Sequence, residues 1–353
     1  MSYKLNDKIK NLTPYEPIMG KYRVRLDANE CTENYSEEFL DIAHEAINNL
    51  EFNRYPDPTC FELRKSFADY YGIDAKNVTV GNGSDELIFV LESAFLKKGE
   101  KLLVASPDFS MYEFYSSICE DKCIKTIKNE DLNIDVDKLI NTINNENIGM
   151  LIFSNPCNPT GQGISKNEVI RLVTSVNALV VLDEAYMDFW GESNSLLKIV
   201  HTYPNVVILR TASKAMGSAA LRLGFAIAND TISKAIMAVK SPYNVNSLSQ
   251  VIGAKLYKNK NFLKNRTKSI VKNTNKLYND LLEISKYIDD FYVYPTKTNF
   301  VLVKTKYGKD LWEYLKSKSV VIRYMKEYIR ITAGNEDEVN EVISLIKTYF
   351  MER

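Results

Sequence analysis

Three side chains in this 353-residue sequence have the types and placement needed to hold and use a reactive aldehyde. Asp183 closes the apolar run LVVLD, Lys214 follows the run VVILRTAS, and Arg222 lies eight residues beyond that lysine. An amine condenses with an aldehyde, a carboxylate keeps an aromatic ring nitrogen protonated, and a guanidinium binds a phosphate. Each residue alone has an ordinary explanation: a solvated lysine, an aspartate paired with some arginine, a surface cation. Together they match the chemistry of pyridoxal 5'-phosphate.

Elements that would position such a set can be read from the hydrophobic pattern. VTV at 78–80, KLLVAS from 101, MLIFSN from 150, LVVLDEA from 179, NVVILRTAS from 205 and RLGFAIA from 222 are continuously apolar, as strands buried on both faces are. Amphipathic stretches separate them; EEFLDIAHEAINNL puts Phe39, Ile42, Ala43, Ala46, Ile47 and Leu50 on one helical stripe. The alternation predicts an α/β fold with a mostly parallel sheet covered by helices on both faces. Ligands of such sheets bind at the carboxyl ends of strands, where Asp183, Asn155, Asn158, Ser213 and Lys214 all fall. Beyond about residue 240 a Lys- and Asn-rich helical stretch leads to FYVYPTKTNFVLV and YIRITAG, separated by a helix near Lys309 to Ser317, which predicts a smaller α+β domain. The expected division is an N-terminal arm over 1–30, a large domain over 31–240 and a small domain over 241–353.

Two loops add to the set. GNGSDELIFVLESAFL is a glycine turn running into a helix, with Ser84 expected as N-cap and Asp85 and Glu86 in the first turn. Free amides at such a start cradle phosphate, although the segment alone could be no more than a well-capped helix. A dinucleotide fingerprint fails because Glu86 stands where a third glycine is required. SNPCNPTGQG is a tight breaker-rich loop after a strand. Small residues surround Lys214 and let a bulky group approach the backbone.

Composition narrows the function class. Lys plus Arg equal Asp plus Glu, 45 against 45, so no global field draws the chain to nucleic acid or to a membrane surface. The N-terminus lacks the apolar stretch of a signal peptide, and no run is suited to span a bilayer, which points to the cytoplasm. Five scattered cysteines suit reduced thiols, and two histidines leave little material for a zinc site, so no metal is expected.

TPY at 13–15, LDANE at 26–30, NRYPDP at 53–58, GNGSDE at 81–86, PDFSMY at 107–112, NPCNPTG at 155–161, DEAY at 183–186, SKAMGSAALRLG at 213–224, PYNVNSLSQ at 242–250 and IRITAG at 329–334 occur in this order. The set resembles the fold-type I pyridoxal-phosphate aminotransferases, and within them the histidinol-phosphate aminotransferase branch, over essentially the whole chain. The resemblance implies a seven-stranded sheet in the large domain. It implies Lys214 as the Schiff-base lysine, Asp183 at the pyridine nitrogen, and Asn158 and Tyr186 at the ring hydroxyl, with Phe109 stacked on the ring. Phosphate contacts would come from Ser84, Asp85, Ser213 and Arg222, and from Tyr55 of the other subunit of a homodimer. Arg330 would clamp the substrate carboxylate, with Tyr15, Asn29 and Arg323 also at the substrate. Phe109 replaces a frequent tyrosine, Ser110 a frequent glycine and Met216 a frequent aromatic, and Cys157 fills the variable slot of its loop.

The reaction so implied is transfer of the amino group of histidinol phosphate to 2-oxoglutarate, giving imidazole acetol phosphate and glutamate, a step of histidine biosynthesis. An aromatic amino acid aminotransferase and a threonine-phosphate decarboxylase of the same fold are the alternatives. A non-catalytic cofactor-binding scaffold is a third, disfavoured because every catalytic position is filled.

Overall fold

The apolar runs do form strands in the computed structural model, which describes residues 3–10, 12–14 and 16–353. In chain order the strands are β1 (Val24–Leu26), β2 (Val78–Asn82), β3 (Lys101–Ser106), β4 (Lys122–Ile127), β5 (Ile148–Ser154), β6 (Leu179–Asp183), β7 (Val206–Thr211), β8 (Leu223–Ala228), β9 (Phe291–Val293), β10 (Phe300–Thr305), β11 (Val320–Met325) and β12 (Tyr328–Thr332). Seven form one sheet in the order β2-β8-β7-β6-β5-β3-β4. β4-β3-β5-β6-β7 are mutually parallel, and β8 runs antiparallel to both of its neighbours.

Burial on both faces explains why these strands are continuously apolar. Val180 and Leu182 of β6 join one core cluster, with Leu63 and Phe67 of the helix Phe61–Tyr71 and Val169 and Leu172 of the helix Lys166–Thr174. Val181 between them points into the opposite cluster, with Leu87, Ile88 and Leu91 of the helix Gly83–Phe95 and Ile232 and Ile236 of the helix Asp230–Val239. Alternate residues therefore enter separate cores, as the two-residue period of a strand requires. Strand β4 carries no apolar run because it is an edge strand, with only Thr126 buried in KCIKTI.

The second sheet has the order β1-β11-β12-β10-β9, with β1 parallel to β11 and the other pairs antiparallel. Residues from the N-terminal segment thus sit at the edge of a sheet built mostly from the C-terminal part of the chain. The Lys- and Asn-rich stretch is two helices, Ser247–Lys258 and Lys260–Ser285, separated at Asn259. Leu263 and Ile270 of the longer helix join the large core, whereas its Leu277, Leu281 and Ile284 join the core of the small sheet. One continuous helix therefore belongs to both.

The most costly burial in the large core is ionic. Arg210 of β7 donates through Nε to Glu184 Oε2 at 3.0 Å and through Nη1 to Glu192 Oε1 at 2.8 Å, and lies 3.5 Å from Asp188, whose other oxygen accepts from the Tyr71 hydroxyl at 2.9 Å. Burial lifts the Glu184 carboxyl to about 7 even though Arg210 pulls it down. Removing the cation leaves buried carboxylates uncompensated. Arg210→Met should cost about 3–5 kcal/mol in urea unfolding. The loss should be largest above pH 7, where the parent's Glu184 is ionised, and should shrink at lower pH as the carboxyl takes a proton in both proteins.

Candidate active site

Six strands, β2 to β7, run in one direction and β8 against them, so six carboxyl ends and the amino end of β8 share one edge of the sheet. Phe109 follows β3, Asn158 follows β5, Asp183 ends β6, Ser213 and Lys214 follow β7, and Arg222 precedes β8. Residues far apart in sequence meet there because of that strand order.

Asp183 is 4% exposed. Its Oδ2 accepts from the Tyr112 hydroxyl at 2.8 Å and its Oδ1 from the backbone N–H of Ala185 at 3.1 Å. Burial pushes its carboxyl up to about 6, against the downward pull of these two hydrogen bonds. Among the described residues no lysine or arginine forms an ion pair with it. A protonated ring nitrogen would supply the missing cation, and this environment fits one.

The helix Gly83–Phe95 begins one residue before the expected N-cap: Asn82 holds that position, and Ser84 lies in the first turn. Gly83, at φ +81°, turns the chain directly into the helix. A Cβ on Gly83 would come within 2.6 Å of Arg222 Nη2, and one on Gly224 within 2.3 Å of Ser84 N. Glycines thus let the helix start press against β8 and bring Arg222 over it, where Nη2 lies 3.2 Å from Asp85 Oδ2. Amides at a helix N-terminus beside a half-exposed guanidinium form an anion cradle. Ser213 stands close by in sequence, its N–H donating to Thr211 Oγ1 at 3.1 Å.

Lys214 Nζ donates to the carbonyls of Ala28 and Asn29 at 3.3 and 3.2 Å and lies 5.8 Å from the centre of the Tyr186 ring. Asn29 is fully buried; its Nδ2 donates to the Tyr186 hydroxyl at 2.9 Å, and its N–H donates to Thr332 Oγ1 at 3.0 Å. Arg330 of β12 donates to Asn158 Oδ1 and, through Nη2, to the carbonyl of Asp27 at 2.8 Å. Arg323 of β11 is paired directly opposite Arg330. Residues paired in this way present their side chains to one face of the small sheet.

Phe109 sits beside Tyr112, ring centres 5.6 Å apart and nearly perpendicular. Tyr55 is set apart from this assembly: it is 80% exposed and stacks on Tyr243 at 4.5 Å. Tyr15 lies outside the described residues. Tyr112, Thr332 and Asn299, which donates to the Asn29 carbonyl at 3.2 Å, were not among the sequence candidates. Tyr112 had a usable signal, since it follows Phe109 by three residues at a helix start and so shares its side. An open groove of about 840 Å³ lined by Asp74, Lys76, His201 and Asp230 lies at the opposite edge, where β2 begins and β8 ends, and holds none of these groups.

Residues 22–346 match the family described as Aminotransferase class I and II. The chain belongs to this family. It is 45% identical to the histidinol-phosphate aminotransferase of Clostridium novyi over 344 residues, covering 96% of this chain and 95% of that one. It is 39% identical to the histidinol-phosphate aminotransferase of Thermoanaerobacter pseudethanolicus over 319 residues, 90% of this chain and 89% of that one. The histidinol-phosphate aminotransferase of Sinorhizobium meliloti, solved in complex with pyridoxal-5'-phosphate, superposes with a TM-score of 0.88 over 99% of both chains at 19% identity, which shows the shared fold.

For a carboxylate whose folded value is raised, stability is full below the unfolded value and is lost as pH rises through the folded one. Asp183 therefore weakens the cofactor-free fold between about pH 4 and 6, by roughly 3 kcal/mol once ionised. Asp183→Asn removes that cost and loses one hydrogen bond worth about 1 kcal/mol. The cofactor-free variant should be about 1–2 kcal/mol more stable than its parent at pH 8 and no more stable at pH 4, by urea unfolding.

Proposed function

We propose that this aminotransferase uses pyridoxal 5'-phosphate and takes histidinol phosphate as amino donor and 2-oxoglutarate as acceptor. The observation that supports the donor assignment is the direct cross-strand pairing of Arg323 with Arg330, which sets two arginines on one face of the small sheet. A carboxylate is served by one planar fork, whereas a phosphate carries nearly a second charge and more acceptor oxygens. The names of the two relatives described above agree with this reading.

When bound, the cofactor supplies a carbonyl that condenses with amines and a ring that accepts the electrons released at the substrate's α-carbon. Lys214 Nζ would hold the cofactor at rest and, as a free amine, would serve as the base for the substrate's α-proton and as the acid that returns it. Its hydrogen bonds to the Ala28 and Asn29 carbonyls support a resting place there for the freed ammonium. Asp183 supplies the negative charge for the ring nitrogen, oriented by Tyr112 and the Ala185 amide. Tyr186, held by Asn29, and Asn158, held by Arg330, would serve the ring hydroxyl. The cradle of Ser84, Asp85, Ser213 and Arg222 would take the cofactor phosphate, with Phe109 against the ring. Arg330 would bind the carboxylate of glutamate and 2-oxoglutarate, with Arg323 and Tyr15 adding contacts to the donor's phosphate.

We also assign the enzyme to the cytoplasm as a homodimer in which Tyr55 reaches the neighbouring site. All five cysteines are free thiols, which supports a reducing compartment. Phe52, Tyr55, Phe61 and Tyr243 are exposed aromatics near one another in sequence or contact, which supports an interface there. A fully active monomer in sedimentation at assay concentration would remove the dimer from the proposal.

A half-reaction screen tests the substrate. Loss of the visible absorption of the cofactor-loaded protein is followed with histidinol phosphate, phenylalanine, tyrosine and O-phosphothreonine separately, and rapid bleaching is expected with the first alone. Carbon dioxide release from O-phosphothreonine would reverse the assignment. Lys214→Ala should retain the fold and show no turnover. Arg323→Gln should lower kcat/KM for histidinol phosphate by about 10- to 100-fold, the value of one charge-assisted hydrogen bond, with a much smaller effect on glutamate. Equal losses for both substrates would remove Arg323 from phosphate recognition.

A further inference from the structure

The side chain of Lys128, just after β4, is 1% exposed, and its Nζ touches Cys157 Sγ at 2.9 Å. The same nitrogen donates to the Pro107 carbonyl at 2.6 Å and lies 3.5 Å from Asp108 Oδ2. Of the five cysteines this is the one with a primary amine against its sulfur: Cys31 meets the Arg266 guanidinium at 3.6 Å, and a guanidinium is a poor nucleophile. Burial pushes the thiols of Cys60, Cys119 and Cys123 to about 11, which makes them inert. Lys128 and Cys157 border a small void with Thr160, Gln162 and Gly163 that is too narrow for a water molecule as the side chains stand, so an oxidant reaches the sulfur only as they move.

We propose that Cys157 and Lys128 form a site of oxidative modification, closed by hydrogen peroxide into a covalent sulfur–nitrogen crosslink. In the first step the thiol sulfur attacks peroxide, the O–O bond breaks, one oxygen joins sulfur as a sulfenic acid and the other leaves as water. In the second the S–N bond forms as the S–O bond breaks. Nζ sheds two protons, one leaving with the oxygen as a second water and the other passing to Asp108. Sulfur is oxidised by two electrons and peroxide is reduced by two. Asp108 is suited to take the proton: its side chain is fully buried, and burial pushes its carboxyl up against the opposing pull of Lys128 and Ser154.

The crosslink reaches the active site through short contacts. Asp108 accepts from the Phe109 N–H at 2.8 Å and the Ser154 N–H at 3.2 Å, and the Ser154 hydroxyl accepts from the Asn158 N–H at 3.2 Å. Neutralising both Lys128 and Asp108 therefore alters the support of the residue assigned to the cofactor ring and of the one assigned to its hydroxyl. A thiol reductant reverses it by attacking sulfur and releasing the amine. Inhibition by the crosslink rests on the proposed reaction, whereas its formation does not.

The full-length protein is exposed to hydrogen peroxide, alkylated, digested and read by mass spectrometry. The expected product is a peptide pair joined between Lys128 and Cys157, lighter by two hydrogens than its parts and separated by dithiothreitol. It should be absent from Cys157→Ser, and in Lys128→Arg the Cys157 peptide should carry an added oxygen instead. Recovery of Cys157 in the wild-type protein as a free thiol, or as a sulfenic acid with Lys128 unlinked, overturns the proposal. Transaminase activity measured alongside should fall with crosslinking and return with dithiothreitol; a crosslink without inhibition would sink the regulatory consequence alone.

Discussion

Asp183 and Glu184 are consecutive buried acids at the end of β6, and a charge in either position is tolerable only where donors or cations surround it. Successive residues at a strand end point to opposite sides, and the two sides solve the problem differently. Glu184 is given a permanent partner, Arg210, which is itself shared with Asp188 and Glu192. Asp183 is given two hydrogen-bond donors and no fixed cation among the described residues. The first arrangement locks the loop after β6 to the neighbouring strand; the second leaves a carboxylate whose ionisation depends on what binds. That asymmetry is what makes Asp183 suited to the ring cation proposed for it, because two donors orient the carboxylate without neutralising its charge.

Arg323 and Arg330, the residues proposed for the substrate, lie on the other sheet, so the two sheets must be held in register. Asn29 does this from the segment after β1. Its backbone and side chain bond to Thr332 of the small sheet, and its amide supports Tyr186 of the large domain. The proline loop after β5 adds a second joint, with the Gly161 carbonyl accepting from the Lys297 N–H at 2.9 Å. Arg330 bonds across the same boundary to Asn158. Three crossings near the chemistry and the long helix Lys260–Ser285 far from it make the spacing between Asp183 and Arg330 a property of the whole chain.

The large sheet was legible in the sequence because burial on both faces writes a strand as an unbroken apolar run. Strand β4 was not, since an edge strand needs few apolar residues and KCIKTI has a polar pattern. The residues that gather at the strand ends were legible because motif and strand end coincide, as with Asp183 and Lys214. Tyr112 was missed for the opposite reason: a tyrosine in an amphipathic helix has the pattern of core, and only the geometry shows its hydroxyl on Asp183. The relation of Arg323 to Arg330 depends on hairpin register. That register follows from the two-residue turn at Lys326 and Glu327, with Lys326 at φ 59°.

Placing the arginine pair on the small sheet has a consequence for how one protein can accept two different amino compounds. The electron-accepting apparatus belongs to the large sheet and is indifferent to the rest of the donor, so discrimination must come from groups that meet the donor's anion. Two arginines opposite one another in the register of β11 and β12 offer together more donors than a carboxylate can use. On the proposed reading a phosphate engages both and a carboxylate only Arg330, so the two partners of one reaction cycle are held with different strength. Selectivity between them then requires no movement of Asp183 or Lys214.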